Sequence, residues 1–220
     1  MPNAAAPGVL DRYRSDAAAL RYERRHRTGS RHLREARRLA SALRDVPAGS
    51  CVLDLPCGAG RMFPLLASLG LRVTGADGSA AMARRARLAA AAHSLVGEVC
   101  VEDVFHTSFA DGAFDAVVCN RLLHHFDEAE RRAALRELAR VSSGPVIVSF
   151  FCSLSVVALR ARLMQPLRTH GSRRIAISYR RFERDLAAAG LAAVRAAPVS
   201  AVSQQWYVVA RPRAGAVPIS

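Results

Sequence analysis

Short apolar runs alternate with stretches of helical spacing between residues 51 and 151, and this alternation constrains the fold more than any other feature. Helices are predicted near 61–69, over 79–92 and from about 127 to 141. Parallel strands need long crossover connections, which helices in these positions would supply. The order therefore predicts an α/β fold with a doubly wound, mostly parallel sheet. The apolar runs are CVLDL, RVTGAD, EVCVED, AFDAVVCN and PVIVSFF.

The segments that flank this core predict further helices and an edge to the sheet. Residues 11–45 are rich in arginine and predict two helices, with a break and a candidate N-cap at 28–30. The run SYRRFERDLAAAGL predicts a capped helix that stops at Gly190, and LAAVRAAPV and QQWYVVAR predict two antiparallel edge strands. We therefore expect one domain with seven strands. Its parts are an N-terminal helical cap (1–48), a core (49–151), an insertion too long for an ordinary connection (152–178) and a C-terminal helix with strands (179–212).

The net charge of +14 has two interpretations. It suits a polyanionic partner, either nucleic acid or an anionic membrane surface. However, all 32 basic residues are arginine and alanine is abundant, which is typical of a GC-rich genome. We favour the compositional interpretation, and the polyanion stays open as the alternative.

Targeting and redox signals are weak in this sequence. No apolar run approaches the roughly 20 residues of a membrane-spanning helix, and the N-terminus lacks a signal-peptide pattern, so we expect a soluble cytoplasmic protein. The five cysteines are odd in number, widely spaced and without a CxxC pair. We therefore expect reduced thiols rather than a zinc site or a disulfide framework.

Residues 52–61 read VLDLPCGAGR and contain the strongest motif. A predicted strand ends at Asp54 and enters a loop in which Gly58 and Gly60 would let a ligand approach the backbone. The dinucleotide fingerprint GxGxxG fits poorly, because Phe63 occupies its third glycine position and Asp54 lies four residues before Gly58. A tight turn without a ligand is the alternative.

This loop resembles the first motif of the class I, Rossmann-like S-adenosylmethionine-dependent methyltransferases, which reads acid-x-Gly-x-Gly-x-Gly. Asp54, Gly58 and Gly60 align with it, and Pro56 stands at its first glycine. The resemblance extends over about residues 52–151. It implies S-adenosyl-L-methionine as the cofactor, held in part by the three aligned residues, and it makes the insertion a cover for the substrate.

Two further acids follow the second and third predicted strands. A carboxylate at such a strand end can accept both hydroxyl hydrogens of a ribose, and the resemblance implies this role for Asp77. Taken alone, Asp77 would be a helix cap. The resemblance implies that Asp103 accepts from the adenine amino group and that the backbone N–H of Val104 bonds the ring. Glu102 is the rival for the adenine role, and a solvated loop acid is the alternative for Asp103.

The segment AFDAVVCNRLLHHF resembles the fourth-strand segment of the family, which ends near the methionine part of the cofactor and the methyl acceptor. Asn120 and Arg121 fall at the strand end, and we predict that Asn120 contacts the cofactor. A histidine can remove a proton from an acceptor, and we assign that role to His124 rather than His125. Packing is the alternative for either ring.

Together with the resemblance, these residues lead us to expect a methyltransferase that transfers a methyl group to a small-molecule acceptor by in-line displacement. No metal-ligand cluster is visible, so metal-dependent transfer is disfavoured. One alternative is a membrane-surface enzyme with a lipid or quinone acceptor, and another is a non-catalytic module that binds the cofactor. A nucleic-acid acceptor is disfavoured because no appended binding domain and no Asn-Pro-Pro-aromatic motif is seen. The oligomeric state stays open.

Overall fold

A computed structural model describes residues 15–26, 29–153 and 175–213 of the chain. The two predicted N-terminal helices are confirmed as α1 (Asp16–His26) and α2 (Ser30–Leu43). The break between them falls at Gly29, which occupies the N-cap position of α2 with φ 112 and provides no side-chain capping bond. Glycine suits this position because other residues rarely adopt such a φ.

Seven strands form a single sheet in the order β3-β2-β1-β4-β5-β7-β6. Strands β1 to β5 are parallel, whereas β7 is antiparallel to both β5 and β6. The predicted doubly wound, Rossmann-like sheet with an antiparallel edge is therefore confirmed. The strands are β1 (Cys51–Asp54), β2 (Arg72–Ala76), β3 (Val96–Cys100), β4 (Ala116–Cys119), β5 (Val146–Phe151), β6 (Leu191–Pro198) and β7 (Gln205–Pro212).

The remaining described helices connect these strands or lie against the antiparallel edge. They are α3 (Phe63–Ser68), α4 (Ala80–Ala90), a 3-10 turn (Leu123–His125), α5 (Glu128–Arg140) and α6 (Tyr179–Ala188). Helix α3 is shorter than the predicted 61–69, because the glycine loop continues through Met62. Helix α5 begins with a capping box in which Asp127 and Glu130 bond each other's backbone N–H.

The sheet separates two apolar layers. On one face α5 and α6 cover the strands, and the rings of Phe150 and Phe182 stack with their centroids 4.2 Å apart. On the other face α2, α3 and α4 pack around Leu39, Phe63 and Val73. Burial on both faces explains why the central strands read as continuous apolar runs instead of alternating ones.

Most of the predicted insertion, residues 154–174, lies outside the described residues. Its two described ends meet where β5 ends, because Cys152 and Ile177 form a parallel bridge. None of the described helices has the length and apolarity needed to cross a membrane. All five cysteines are free thiols.

Candidate functional site

The carboxyl ends of β1, β2 and β4 meet at one edge of the sheet, and a polar residue lies at the end of each strand or directly after it. Asp54 ends β1, Asp77 follows β2 directly and Asn120 follows β4. The strand order reverses between β1 and β4, because the chain builds outward from β1 in both directions. Ligands of open α/β sheets bind outside the carboxyl ends of the strands at such a switch point.

The glycine loop contains two residues with left-handed backbone conformation. Gly58 has φ 59 and Gly60 has φ 73, both in the left-handed region. A Cβ on Gly60 would lie 2.7 Å from the ring of Phe63, and one on Gly75 would lie 2.6 Å from the same ring. Phe63 therefore fills the space beneath the loop, which leaves no room for side chains at these two glycines. The Leu55–Pro56 peptide bond is cis.

Asp77 bonds the glycine loop and the start of α4 at the same time. One of its carboxylate oxygens accepts from the Gly58 N–H and the other from the Ser79 N–H, each at 2.9 Å. Burial raises the pKa of Asp77 to about 6, against the effect of these two bonds. A carboxylate offers about four acceptor positions, so two are left for the predicted ribose contact. The predicted ribose role and the alternative role in fixing the backbone are thus compatible.

Asp54 is buried with only 1% of its surface exposed. Its Oδ1 atom has no hydrogen-bond partner among the described residues. Burial raises the pKa of Asp54 to about 8, while Arg61 opposes this rise and Asp77 adds to it. A buried acceptor without a partner calls for a physical explanation, and a ligand that donates a hydrogen bond or carries a positive charge would provide one.

The loop after β3 distinguishes Asp103 from its rival Glu102. Glu102 accepts from both the backbone N–H and the hydroxyl of Ser108, so its carboxylate is engaged within its own loop. Asp103 is exposed and accepts from the Phe105 N–H at 3.0 Å. Val104 is buried. This geometry favours Asp103 for the adenine contact, which stays a prediction.

The end of β4 is held by a buried polar cluster. The Oδ1 atom of Asn120 accepts from Ser149 Oγ at 3.0 Å and from Gln205 Nε2 at 3.2 Å. The next residue, Arg121, has φ 62, and its N–H donates to Ser149 Oγ. Such a φ is uncommon for a residue with a side chain and persists only where the surroundings impose it. Asn120 would contact a ligand through its amide nitrogen, because its oxygen is bonded inside the protein.

The two histidines differ in their surroundings. His124 is buried, and its ring stacks on that of Phe151 with a centroid distance of 4.1 Å and an interplanar angle of 9°. The ring of His125 lies 4.1 Å from that of His124 and is only partly buried. Stacking gives His124 the packing contact expected of a core residue. Its assignment as the base stays a prediction.

Three residues near the glycine loop were not predicted from the sequence, and they are Glu35, Arg61 and Tyr207. Glu35 on α2 is fully buried and pairs with Arg61, whose Nη1 lies 2.6 Å from Glu35 Oε2. Tyr207 on β7 is also buried, and its hydroxyl has no partner among the described residues. One signal was available, because Glu35 lies one turn before the buried Leu39 and thus on the apolar stripe of α2.

No cluster of three or more histidine, cysteine or carboxylate side chains suited to a metal ion occurs within residues 15–26, 29–153 and 175–213. The described part of the site offers carboxylates, glycine backbone, amides and arginines, together with the His124 ring and the Tyr207 hydroxyl. This set suits a ligand with hydroxyl, amino and cationic groups.

Comparisons with known proteins agree with this geometry. Residues 52–143 match the family model described as a methyltransferase domain. The Mus musculus protein "Probable tRNA methyltransferase 9B" is 33% identical over 105 residues, which span 47% of this chain and 22% of that protein. The ubiquinone biosynthesis O-methyltransferase of Xanthomonas axonopodis pv. citri is 38% identical over 86 residues, which span 36% of this chain and 34% of that protein. The matched segments thus cover about a third or less of these two relatives.

Among solved structures, magnesium protoporphyrin IX methyltransferase from Synechocystis PCC 6803 with bound SAH shares the fold. The TM-score is 0.75 at 20% identity, and the alignment covers 93% of this chain and 98% of that one. Residues 52–143 thus match a methyltransferase domain, and the chain shares the fold of the Synechocystis enzyme, in agreement with the resemblance found from the glycine loop and the strand-end acids.

Proposed function

We propose that this chain is an S-adenosylmethionine-dependent methyltransferase that acts on a small-molecule acceptor. The observation that carries the proposal is the meeting of Asp54, the positive-φ glycines and Asp77 at the switch point of the sheet. The match of residues 52–143 to a methyltransferase domain supports the reaction type.

The residues of the site fit this cofactor. The Oδ1 atom of Asp54 has no hydrogen-bond partner in the described part of the chain and suits a group that donates a hydrogen bond, and the cofactor carries an ammonium group in its methionine part. The backbone of Gly58 and Gly60 leaves room for close approach. Asp77 retains acceptor positions for two ribose hydroxyls.

The outer ends of the cofactor would be held by the neighbouring loops. Asp103 and the Val104 N–H are our candidates for the adenine contacts. Asn120 is our candidate for a contact near the methionine part through its amide nitrogen, because its oxygen is already bonded. These residues follow β3 and β4, on opposite sides of the glycine loop.

When bound, the cofactor supplies a methyl group that its sulfonium already makes reactive. The contribution of the chain is therefore alignment for in-line displacement and exclusion of water. Helix α1 contributes to the exclusion, because its buried Ala19 packs with Ala59 of the glycine loop and Met82 of α4. Where the acceptor carries a proton, His124 is our candidate base.

The acceptor is the least constrained part of the proposal. The Xanthomonas relative, named for ubiquinone biosynthesis, supports a small molecule. It equally supports our first alternative, a quinone or lipid acceptor at an anionic membrane surface. The mouse relative is named for tRNA, and exposed arginines on α2 such as Arg34 and Arg37 would suit phosphates. We place RNA behind these acceptors because the sequence shows no Asn-Pro-Pro-aromatic motif.

A labelled-methyl assay tests the reaction and the acceptor together. The protein is incubated with labelled cofactor and quinol, phenol, amine or thiol acceptors, and a parallel arm contains transfer RNA. Liposome co-sedimentation with and without anionic lipid tests the membrane alternative. We expect transfer to a small molecule and none to RNA. Cofactor binding without transfer in any arm would instead favour the non-catalytic module.

A further inference from the structure

Glu35 is a buried carboxylate in a helix whose other charged residues are all arginines. It lies midway along α2, and its side chain has an exposed fraction of 0%. Removing a carboxylate from water is costly unless cations and hydrogen bonds replace the water. The partners of Glu35 therefore determine what this buried charge does.

Two of these partners come from the loops that border the proposed cofactor site. Arg61 Nη1 lies 2.6 Å from Glu35 Oε2, and Arg121 Nη1 donates to Glu35 Oε1 at 3.3 Å. Both arginine side chains are nearly buried, with 10% and 12% exposed. A third contact, from Arg31 on the same helix, is longer at 3.8 Å and largely exposed. The buried carboxylate of Glu35 thus forms its shorter and less exposed ion pairs with the two loop arginines.

Each of these arginines is attached to backbone that we assign to the cofactor. Arg61 directly follows Gly60, and Arg121 directly follows Asn120 and holds the left-handed φ of 62. Helix α2 contacts Arg61 a second time, because His32 Nδ1 lies 3.1 Å from Arg61 Nη1. Burial and the Arg61 charge lower the pKa of His32, which favours the neutral ring that can accept this bond.

We propose that Glu35 is a positioning residue for the cofactor, acting through the Arg61 and Arg121 guanidinium groups on the two loops. The inference rests on the proposed function, since it assumes that these loops hold S-adenosylmethionine. It extends the site beyond residues 52–143 to a helix of the N-terminal cap. Without the carboxylate, two nearly buried guanidinium groups would repel each other and move toward water, and both loops would loosen.

A matched pair of variants separates positioning from general stability. Asp185 is the control, because it is also fully buried and also pairs with two guanidinium groups, those of Arg131 and Arg132, each at 2.9 Å. It belongs to α6 and its two partners belong to α5, and these two helices cover the other face of the sheet. Glu35→Gln and Asp185→Asn both replace a buried carboxylate by its isosteric amide. The binding of S-adenosylhomocysteine by the full chain is measured calorimetrically at a temperature where all forms are folded.

We expect Glu35→Gln to weaken S-adenosylhomocysteine binding by about 10- to 100-fold, the size of effect seen when groups that orient metal ligands are removed. Asp185→Asn should lower the melting temperature but leave this affinity within about twofold. Equal affinities of wild type and Glu35→Gln, or equal losses in both variants, would overturn the inference. If the wild type itself does not bind, the proposed function fails instead.

Hydrogen exchange of the wild type provides a second test that does not depend on a folded variant. If Glu35 joins α2 to the two loops, S-adenosylhomocysteine should slow amide exchange in residues 30–43 as well as in 57–61 and 120–122. Protection confined to the loops, with α2 unchanged, would contradict the inference.

Discussion

Replacing Asp77 by alanine should weaken cofactor binding and also destabilise the protein. If the carboxylate accepts two ribose hydroxyls, each bond to the charged acceptor is worth at most about 1.5–3 kcal/mol. Water that enters beside the alanine recovers part of this free energy. We therefore expect the dissociation constant for S-adenosylhomocysteine to rise by about 10- to 1000-fold.

The same substitution should also lower the stability of the fold. Asp77 accepts from the backbone N–H groups of Gly58 and Ser79, and alanine would leave both without their acceptor. We expect a loss of about 1–3 kcal/mol in the free energy of unfolding. The raised pKa of Asp77 limits this loss, because part of the cost of burying the carboxylate is removed with it.

Calorimetric titration with S-adenosylhomocysteine, together with thermal unfolding, measures both effects. Ser79→Ala is the matched control, because it removes the side-chain cap that accepts from Met82 N–H but leaves the Asp77 carboxylate in place. Its cost should be about 1 kcal/mol of stability with little change in affinity. If Asp77→Ala loses stability and keeps its full affinity, the ribose assignment is wrong and Asp77 serves only the backbone.

Four other substitutions and the pH dependence of stability test the remaining assignments. Burial raises the pKa of Asp54 to about 8, so the folded protein holds this proton more tightly than the unfolded chain does. The contribution of the protonated Asp54 to the free energy of unfolding is therefore complete below its ordinary pKa of 3.8 and is lost as the pH rises through 8. Asp54→Asn should flatten this pH dependence when stability is measured by chemical denaturation. His124→Phe keeps a ring against Phe151 but removes the base, so turnover should fall by about 100- to 10000-fold while cofactor affinity stays intact. His125→Ala should have a milder effect on turnover. Unchanged turnover and an unchanged pH profile of turnover would exclude a histidine base. Gly60→Ala should abolish cofactor binding or folding, because φ 73 and the Phe63 ring exclude a Cβ, whereas normal binding would contradict the loop geometry.

The sheet could be predicted from the sequence because its signals are local. The central strands β1, β4 and β5 are buried on both faces and read as continuous apolar runs, as in residues 146–151. The glycine loop could be predicted for a similar reason, since its acid, its glycines and the following helix are contiguous. The antiparallel edge followed from two late strands separated by a short connection.

The Glu35 pairing could not be predicted, because it depends on contacts between distant parts of the chain. Arg121 lies 86 residues from Glu35 in sequence, and the chain offers many arginines as candidate partners. The buried position of Glu35 on an apolar stripe was visible, but its partners depend on how α2 packs on the sheet. The stack of His124 on Phe151 was hidden similarly, because it requires the end of β5 to lie beside the turn after β4.

The central claim is that the switch point of this sheet holds S-adenosylmethionine rather than a dinucleotide. Parallel calorimetric titrations of the full chain with S-adenosylmethionine, S-adenosylhomocysteine and NAD test it most directly. We predict micromolar binding of the first two and none of NAD, because Phe63 fills the position of the third dinucleotide glycine. Tight binding of NAD without binding of either sulfur compound would contradict the account.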